Sequence, residues 1–345
     1  VPLEIGVEMK AVGYRKSLPI TEAESLLDIE VATPEPGAHD LLVEVKAVSV
    51  NPVDTKVRIR QAPDKDEYKI LGYDAAGIVR KVGSACKLFK EGDEVFYAGS
   101  IGRQGTNSQF HLVDERITGK KPQSLSFGNA AAMPLTSITA WELLFDRFCV
   151  QPGKPHDAGT ILIVGGAGGV GSILIQLARR LTGLTLVATA SRPETQEWCK
   201  SLGAHYVIDH SKPMVEQFRG TGIKYAEYVA SLVGTHTHYE SLVELLAPQG
   251  RFGLIDDPKT LDVMPLKVKC ASLHWEFMFA RSMFETPDIL AQHLLLNEMA
   301  DLVDAGIIKN TTDASLGTIN AENLKKAHAL LESGKAKGKL VLEGF

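Results

Sequence analysis

The chain has no cysteine pair at C-x-x-C spacing. Its four cysteines, Cys86, Cys149, Cys199 and Cys270, lie far apart, which excludes a four-thiolate zinc lobe and leaves buried free thiols as the reading. No apolar run reaches the ~20 residues of a membrane span, and the opening VPLEIGVEMK has no signal-peptide h-region. Positive charge is not in excess either. A formal net charge of −5 argues against a nucleic-acid partner or a polybasic membrane surface. Repeats, low-complexity stretches and long linkers are missing too. What remains is an enzyme-like composition at 345 residues, a length that predicts two domains and a cytoplasmic protein. Residues 1–8 read as a loose extension ahead of a first strand opening at Met9.

The stretch that is most informative is Thr160–Arg180, TILIVGGAGGVGSILIQLARR. Thr160 to Val164 form an unbroken β-branched and apolar run, as for a strand buried on both faces of a parallel sheet. Gly166, Gly168, Gly169, Val170 and Gly171 follow within G-x-G-x-x-G. Val170, Ile173, Leu174, Leu177, Ala178 and Leu181 then recur on one face of a helix. Glycine at a strand-to-helix turn has physical uses: Gly166 permits the reversal, Gly168 lets a pyrophosphate approach, and Gly171 lets helix and strand close up. The free N–H groups and the helix dipole would hold the phosphates.

The next strand, Leu184–Ala190, selects among dinucleotides. A site for NAD usually places an acidic side chain about 20 residues past the glycines, on the ribose 2′-OH. Ser191 and Arg192 stand there. A hydroxyl and a guanidinium suit a 2′-phosphate, so the expected cofactor is NADPH. The competing reading is an ordinary surface arginine at a loop tip.

Around this centre the chain divides. Residues 9–48 read as short strands (Met9–Tyr14, Leu27–Val31, Leu41–Val48), and Gly72–Val82, Gly92–Phe96 and Ser108–Val113 add more. Phe127–Phe148 has helical period. After the turn Gln151–Pro155, strands and helices alternate: strands 160–164, 184–190, 205–208, 226–230, 251–255 and 270–274, with helices 170–181, 193–202, 212–219 and 237–247. That is a doubly wound sheet. Helices at Pro287–Ala305 and Ala321–Glu332 follow, and Gly338–Leu342 reads as a last strand returning to the first domain. The fold class is therefore α/β, with a β-rich domain at 1–133 and 280–345 and a Rossmann domain at 134–279.

With NPVDTK, LGYDAAG, LFKEGDEVFYAG, FHLVDER, PLTSITAWELL, VGGAGGVGS, LGAHYVID and GKAKGKLVL in order, the chain resembles the medium-chain dehydrogenase/reductase superfamily on its quinone-oxidoreductase side. It is similar to the bacterial zinc-type alcohol dehydrogenase-like proteins. The resemblance implies a GroES-like catalytic domain, a Rossmann domain inserted in it, and an active cleft at their junction. It also implies a homodimer or homotetramer paired through the last Rossmann strand, Cys270–Trp275. Zinc members of the superfamily hold their metal with Cys and His. At the matching places this chain has Asn51, Tyr73 and no Cys in PLTSITAW, so no metal is expected. Asp54 and Asp74 read as hydrogen-bonded structure.

The resemblance also distributes roles. Asn51 would border nicotinamide and substrate and donate to a carbonyl oxygen, or else cap a turn before Pro52. Thr136 would bond the nicotinamide ribose or carboxamide, or else cap a helix. Val170 would lie under the diphosphate–nicotinamide end, His210 against the adenosine or else exposed on a loop, and Ile255 and Asp256 at the nicotinamide. Lys339 would approach NADPH from the tail, or be a solvated surface lysine. Tyr73 would face the cleft, as packing or else as a proton donor, and Tyr68 has the same two readings with a poorer motif around it. His111 and Trp141 read as core. The cluster His274, Trp275, Phe277, Met278, Phe279, Met283 and Phe284 would wall an apolar pocket or an oligomer contact.

Without a metal to polarise an isolated alcohol, the expected activity is NADPH-dependent reduction of quinones or α,β-unsaturated carbonyls. The alternatives are a zinc-dependent alcohol dehydrogenase and an NADPH-binding protein without significant turnover.

Overall fold

The computed structural model describes residues 7–153, 155 and 158–345. Residues 1–6 of the expected extension, and Lys154 of the expected turn, lie outside the described residues. The chain falls into two compact units. One comprises the chain up to Leu135 together with Phe279–Phe345, the other Thr136–Met278.

The strands, in chain order, are β1 (Glu8–Tyr14), β2 (Leu27–Ala32), β3 (Asp40–Val50), β4 (Lys69–Ile70), β5 (Ala75–Val82), β6 (Glu94–Tyr97), β7 (Phe110–Asp114) and β8 (Thr118–Lys120). The second unit holds β9 (Thr160–Val164), β10 (Thr185–Thr189), β11 (Tyr206–Ile208), β12 (Ala226–Ser231), β13 (Leu246–Leu254) and β14 (Ser272–Trp275). β15 (Thr312–Ser315) and β16 (Lys339–Glu343) return to the first.

In the first unit β3 is the spine of a GroES-like fold. Its largely buried sequence DLLVEVKAVSV pairs antiparallel with β5, β7 and β16, inside a seven-stranded sheet of order β15-β16-β3-β5-β6-β8 with β7 branching from β3. The tail strand enters in the register Leu340 to Val50 and Val341 to Ser49. The smaller sheet has the order β2-β1-β4.

The second unit is one parallel sheet of order β11-β10-β9-β12-β13-β14. All five residues of β9 are buried, because crossover helices cover both faces of such a sheet. Leu162, Val187, Val229, Phe218 and Phe252 belong to one core cluster. Chain order reverses between β9 and β12, the switch point at which doubly wound sheets bind ligands.

Several expectations need correction. The helical stretch 127–148 is broken into Phe127–Ala131, Pro134–Trp141 and a wider π-type turn at Glu142–Arg147. Pro134 lacks an N–H to continue the preceding helix and starts a new one instead. The thiols are not all buried: Cys199 is, Cys86 is half-buried, and Cys149 and Cys270 are exposed. The aromatic and methionine cluster is divided, with Met278 and Phe279 in the core and Trp275, Phe277, Met283 and Phe284 exposed. β15 and the short helices Met264–Val268 and Ala280–Phe284 were not expected, being too short for a periodic signal. Among the described residues no helix is long and apolar enough to cross a membrane.

Candidate functional site

Two groups of side chains stand out, one in each unit. In the second unit, β9 is followed by Gly165, whose φ of +81° is left-handed. The reversal therefore belongs to Gly165 and not to Gly166, as the motif suggested. Gly166 is constrained by packing: a Cβ there would meet Ala188 Cβ at 2.9 Å and Cys199 Sγ at 3.0 Å. Gly168 is exposed and is the N-cap of the helix Gly169–Leu181. A Cβ on it would meet only the Gly165 carbonyl, at 3.4 Å. The turn is thus open on the side where the first N–H groups of the helix, at Gly169, Val170 and Gly171, have no intrahelical acceptor.

The other expected residues of this unit collect at the same carboxyl edge of the sheet. Ser191 and Arg192 follow β10, and Arg192 is the N-cap of the helix Pro193–Leu202. Its Nε lies 3.0 Å from Glu194 Oε1, on a side chain about one-third exposed. His210 follows β11, and its Nδ1 is 2.9 Å from Thr189 Oγ1. That hydroxyl accepts from Gly165 N–H at 3.1 Å, so Thr189, which the sequence did not single out, links His210 to the glycine turn. Partial burial lowers the His210 pKa. Ile255 follows β13 and donates its N–H to Ser231 O. Asp256 is engaged elsewhere, accepting from Thr235 N–H at 2.8 Å and from the Thr235 hydroxyl. Thr136 is buried within the helix Pro134–Trp141, not at its cap.

The second group lies at the end of β3. Asn51 leaves that strand, Asp74 precedes β5, and Lys339 opens β16, so strand register alone brings the three together. Lys339 Nζ donates to Asp74 Oδ2 at 2.9 Å, to Val50 O at 3.2 Å and to Asn51 Oδ1. Asn51 Nδ2 donates to the same Asp74 oxygen at 2.8 Å, and Leu135 N–H to the other at 2.7 Å. Asp54 completes the floor, accepting from Asn51 N–H at 2.8 Å and Gly72 N–H at 2.9 Å. The first of these bonds caps the helix Pro52–Arg60.

All of these groups are buried, Lys339 being 3 % exposed and Asp74 0 %. The lysine is therefore not a surface residue. Burial pushes the Asp74 carboxyl up, opposed first by the Lys339 charge. Burial raises Asp54 to about 7, against its two N–H donors and Lys339. Asn51 spends its amide on Lys339 and Asp74, so it is oriented by the chain itself.

Tyr73 is adjacent but different. It is 1 % exposed, stands edge-on to Phe279, and its hydroxyl has no hydrogen-bond partner among the described residues. Burial first, then Asp54 and Tyr14, push the phenol well above its ordinary value, which makes it a poor proton donor in this arrangement. Tyr73→Phe is expected to raise stability by about 1 kcal/mol, because an unpaired buried hydroxyl is removed. A urea midpoint that falls instead would reveal a partner for that oxygen. His111 is buried as expected, with its ring between Tyr97 Oη and Gln104 O, but Trp141 is half-buried rather than core, its ring lying against the half-buried Phe145.

Comparison with known proteins places these geometries. Residues 37–133 match the family model for the alcohol dehydrogenase GroES-like domain, and residues 202–342 match that for zinc-binding dehydrogenase. A zinc-type alcohol dehydrogenase-like protein of Staphylococcus aureus is 40 % identical over 97 % of this chain and 99 % of its own. The 2-methylene-furan-3-one reductase of Solanum lycopersicum is 32 % identical over 99 % of this chain and 80 % of its own. A Rhizobium etli structure, carrying a provisional zinc-dependent alcohol dehydrogenase name, superposes with a TM-score of 0.95 at 58 % identity, covering 99 % of both chains. The Escherichia coli quinone oxidoreductase complexed with NADPH superposes with a TM-score of 0.82 at 26 % identity, covering 97 % of this chain and 99 % of that one.

Three of those names carry zinc. The residues at Asn51, Tyr73 and Asp74 do not fit it: they offer an amide, a buried phenol and a carboxylate already bonded to an ammonium, where zinc takes thiolate and imidazole in tetrahedral number. Among the described residues no group of three or more His, Cys, Asp or Glu side chains could hold a metal ion. The glycine turn does fit a dinucleotide, since the open face at Gly168 leaves room for phosphate oxygens at the helix N-terminus.

Proposed function

We infer, because the chain belongs to the medium-chain dehydrogenase/reductase superfamily in its quinone-oxidoreductase-like branch, that it is an NADPH-dependent reductase of quinones or α,β-unsaturated carbonyls working without a catalytic metal. The observation that carries this reading is the ammonium of Lys339 lodged between Asn51 and Asp74, where the resemblance would put the edge of a zinc site. The tomato reductase and the NADPH complex of the bacterial quinone oxidoreductase support the substrate class and the cofactor.

NADPH, when bound, supplies a hydride. The chain's contribution is to bind and orient. The N–H groups at Gly169, Val170 and Gly171 would receive the diphosphate, and Ser191 and Arg192 the 2′-phosphate. A conjugated acceptor spreads the charge that hydride addition creates, so it needs no Lewis acid. Neither Tyr73 nor Asn51 holds a free proton for it, and quinone reduction can take its proton from water.

Arg192→Ala tests the cofactor assignment. The guanidinium's present bond to Glu194 is half-exposed and therefore weak, so it would yield to a phosphate. We expect the KM for NADPH to rise about 10- to 100-fold, the equivalent of one charge-assisted contact, with NADH kinetics unchanged. Equal losses for both cofactors would refute the assignment. The reaction itself is tested by NADPH oxidation with chelator-treated protein against 9,10-phenanthrenequinone and a short enone. Turnover should survive chelation. Activity restored only by zinc would overturn the reading, and tight NADPH binding without turnover would make this a binding protein.

A further inference from the structure

The Lys339 ammonium has three N–H donors, and three oxygens meet it: Val50 O at 3.2 Å, Asp74 Oδ2 at 2.9 Å and Asn51 Oδ1. Its coordination is complete, it is 3 % exposed, and its carboxylate partner is fully buried. The same Asp74 carboxylate takes an amide N–H from Asn51 and a peptide N–H from Leu135, so every acceptor in the cluster faces a donor of this chain. The amide of Asn51 has one orientation compatible with this arrangement, oxygen to the ammonium and nitrogen to the carboxylate.

We propose that Lys339 is the built-in cation of this cluster, a positioning residue that fixes the Asn51 amide and keeps divalent metal out. A second, doubly charged cation would have to enter a buried site already holding a positive charge within hydrogen-bond distance, where repulsion is little screened. Remove the ammonium, and a carboxylate, an amide oxygen and a peptide oxygen converge on an empty centre. That donor set is hard and oxygen-only, of the kind Mn²⁺ and Mg²⁺ take and zinc does not favour. The charge of one lysine thus separates a metal-free cluster from a latent oxygen site. The inference rests on the metal-free reading above and adds the residue that enforces it.

The experiment is an Mn²⁺ titration of the full chain followed by electron paramagnetic resonance, in which the hexaaquo signal disappears as the ion binds. Wild-type protein should leave the signal unchanged. Lys339→Ala, which vacates the centre, should remove one equivalent per chain, with affinity at least about tenfold above wild type once the repulsion is gone, and Lys339→Ala combined with Asp74→Asn should return to wild-type behaviour. Lys339→Gln removes the charge with a shorter polar side chain, and it carries the same test if the alanine variant does not fold; it should also gain uptake. Folded variants that bind no more Mn²⁺ than wild type would overturn the proposal while leaving chelation-resistant turnover, and so the proposed function, intact. Stoichiometric Mn²⁺ or zinc in the wild-type protein would overturn the built-in cation, and with it the metal-free reading if turnover also depends on that metal.

Discussion

Gly171→Ala is expected to abolish nucleotide binding. A Cβ at this position would stand 2.4 Å from the Gly165 carbonyl oxygen and 2.7 Å from Gly166 Cα. Both obstacles are backbone atoms, which cannot turn aside as a flexible side chain would. Gly165 is held in turn by its N–H bond to Thr189 Oγ1 and its left-handed φ, and Gly166 N–H is bonded to Thr189 O at 3.0 Å. The first turn of the helix must therefore move away from β9, and the N–H groups proposed to hold the diphosphate move with it. Preorganised donors lose their value when displaced by an ångström, so we expect NADPH affinity to fall by more than about a hundredfold, as for a phosphate site losing most of its contacts. Gly168→Ala is the control, because its Cβ meets only one atom, at 3.4 Å. It should weaken binding modestly and leave thermal stability unchanged. Fluorescence titration with NADPH on both variants separates the two. Equal affinities would mean that the helix start tolerates the shift and that the phosphates are held elsewhere.

The contrast between these two glycines shows what could be read in advance. That a strand, a glycine turn and a helix follow one another from Thr160 was legible, because apolar period changes from continuous to helical at the turn. Which glycine needed left-handed backbone was not, since Gly165 and Gly166 are indistinguishable as letters. The end of β10 was legible for the same reason as the turn: Ser191 and Arg192 lie at a fixed distance along a regular repeat. The Asn51–Asp74–Lys339 cluster was not. Lys339 is 288 residues from Asn51 and 265 from Asp74, and only the pairing of β16 with β3 joins them. Lys339 alone in GKLVL gave no sign that its charge is internal, because a lysine at a strand start is most often solvated. The break at Pro134 is an instance of local chemistry overriding period: the apolar pattern of 127–148 continues through it, but the missing N–H does not allow one helix.

A second large effect is set by two buried imidazoles in the first unit. Burial holds His111 down to about 4 and His328 down to about 3. His111 is locked between Tyr97 Oη and Gln104 O, and His328 accepts from Arg58 Nε at 3.3 Å. In the unfolded chain both would titrate near 6.5. Below that value the unfolded chain binds more protons than the native one, so the contribution is complete above pH 6.5 and is lost as pH falls toward the folded values. Between pH 7 and pH 5 the two together remove about 4 kcal/mol. Asp54 works against them. Its folded value of about 7 lies above its ordinary 3.8, so the native state binds the extra proton over that window and gains about 2 kcal/mol on the same acidification. Asp54→Asn, whatever its level at pH 7, should therefore lose about 2 kcal/mol more than the wild-type first unit between pH 7 and pH 5. All three tryptophans, Trp141, Trp198 and Trp275, belong to the other unit, so indole fluorescence would miss this. Native-state hydrogen exchange at the β3 amides, corrected for intrinsic rates, reads it directly. An equal pH slope in wild type and Asp54→Asn would mean that Asp54 is ionised throughout, and a flat profile in both would mean that water reaches the two imidazoles.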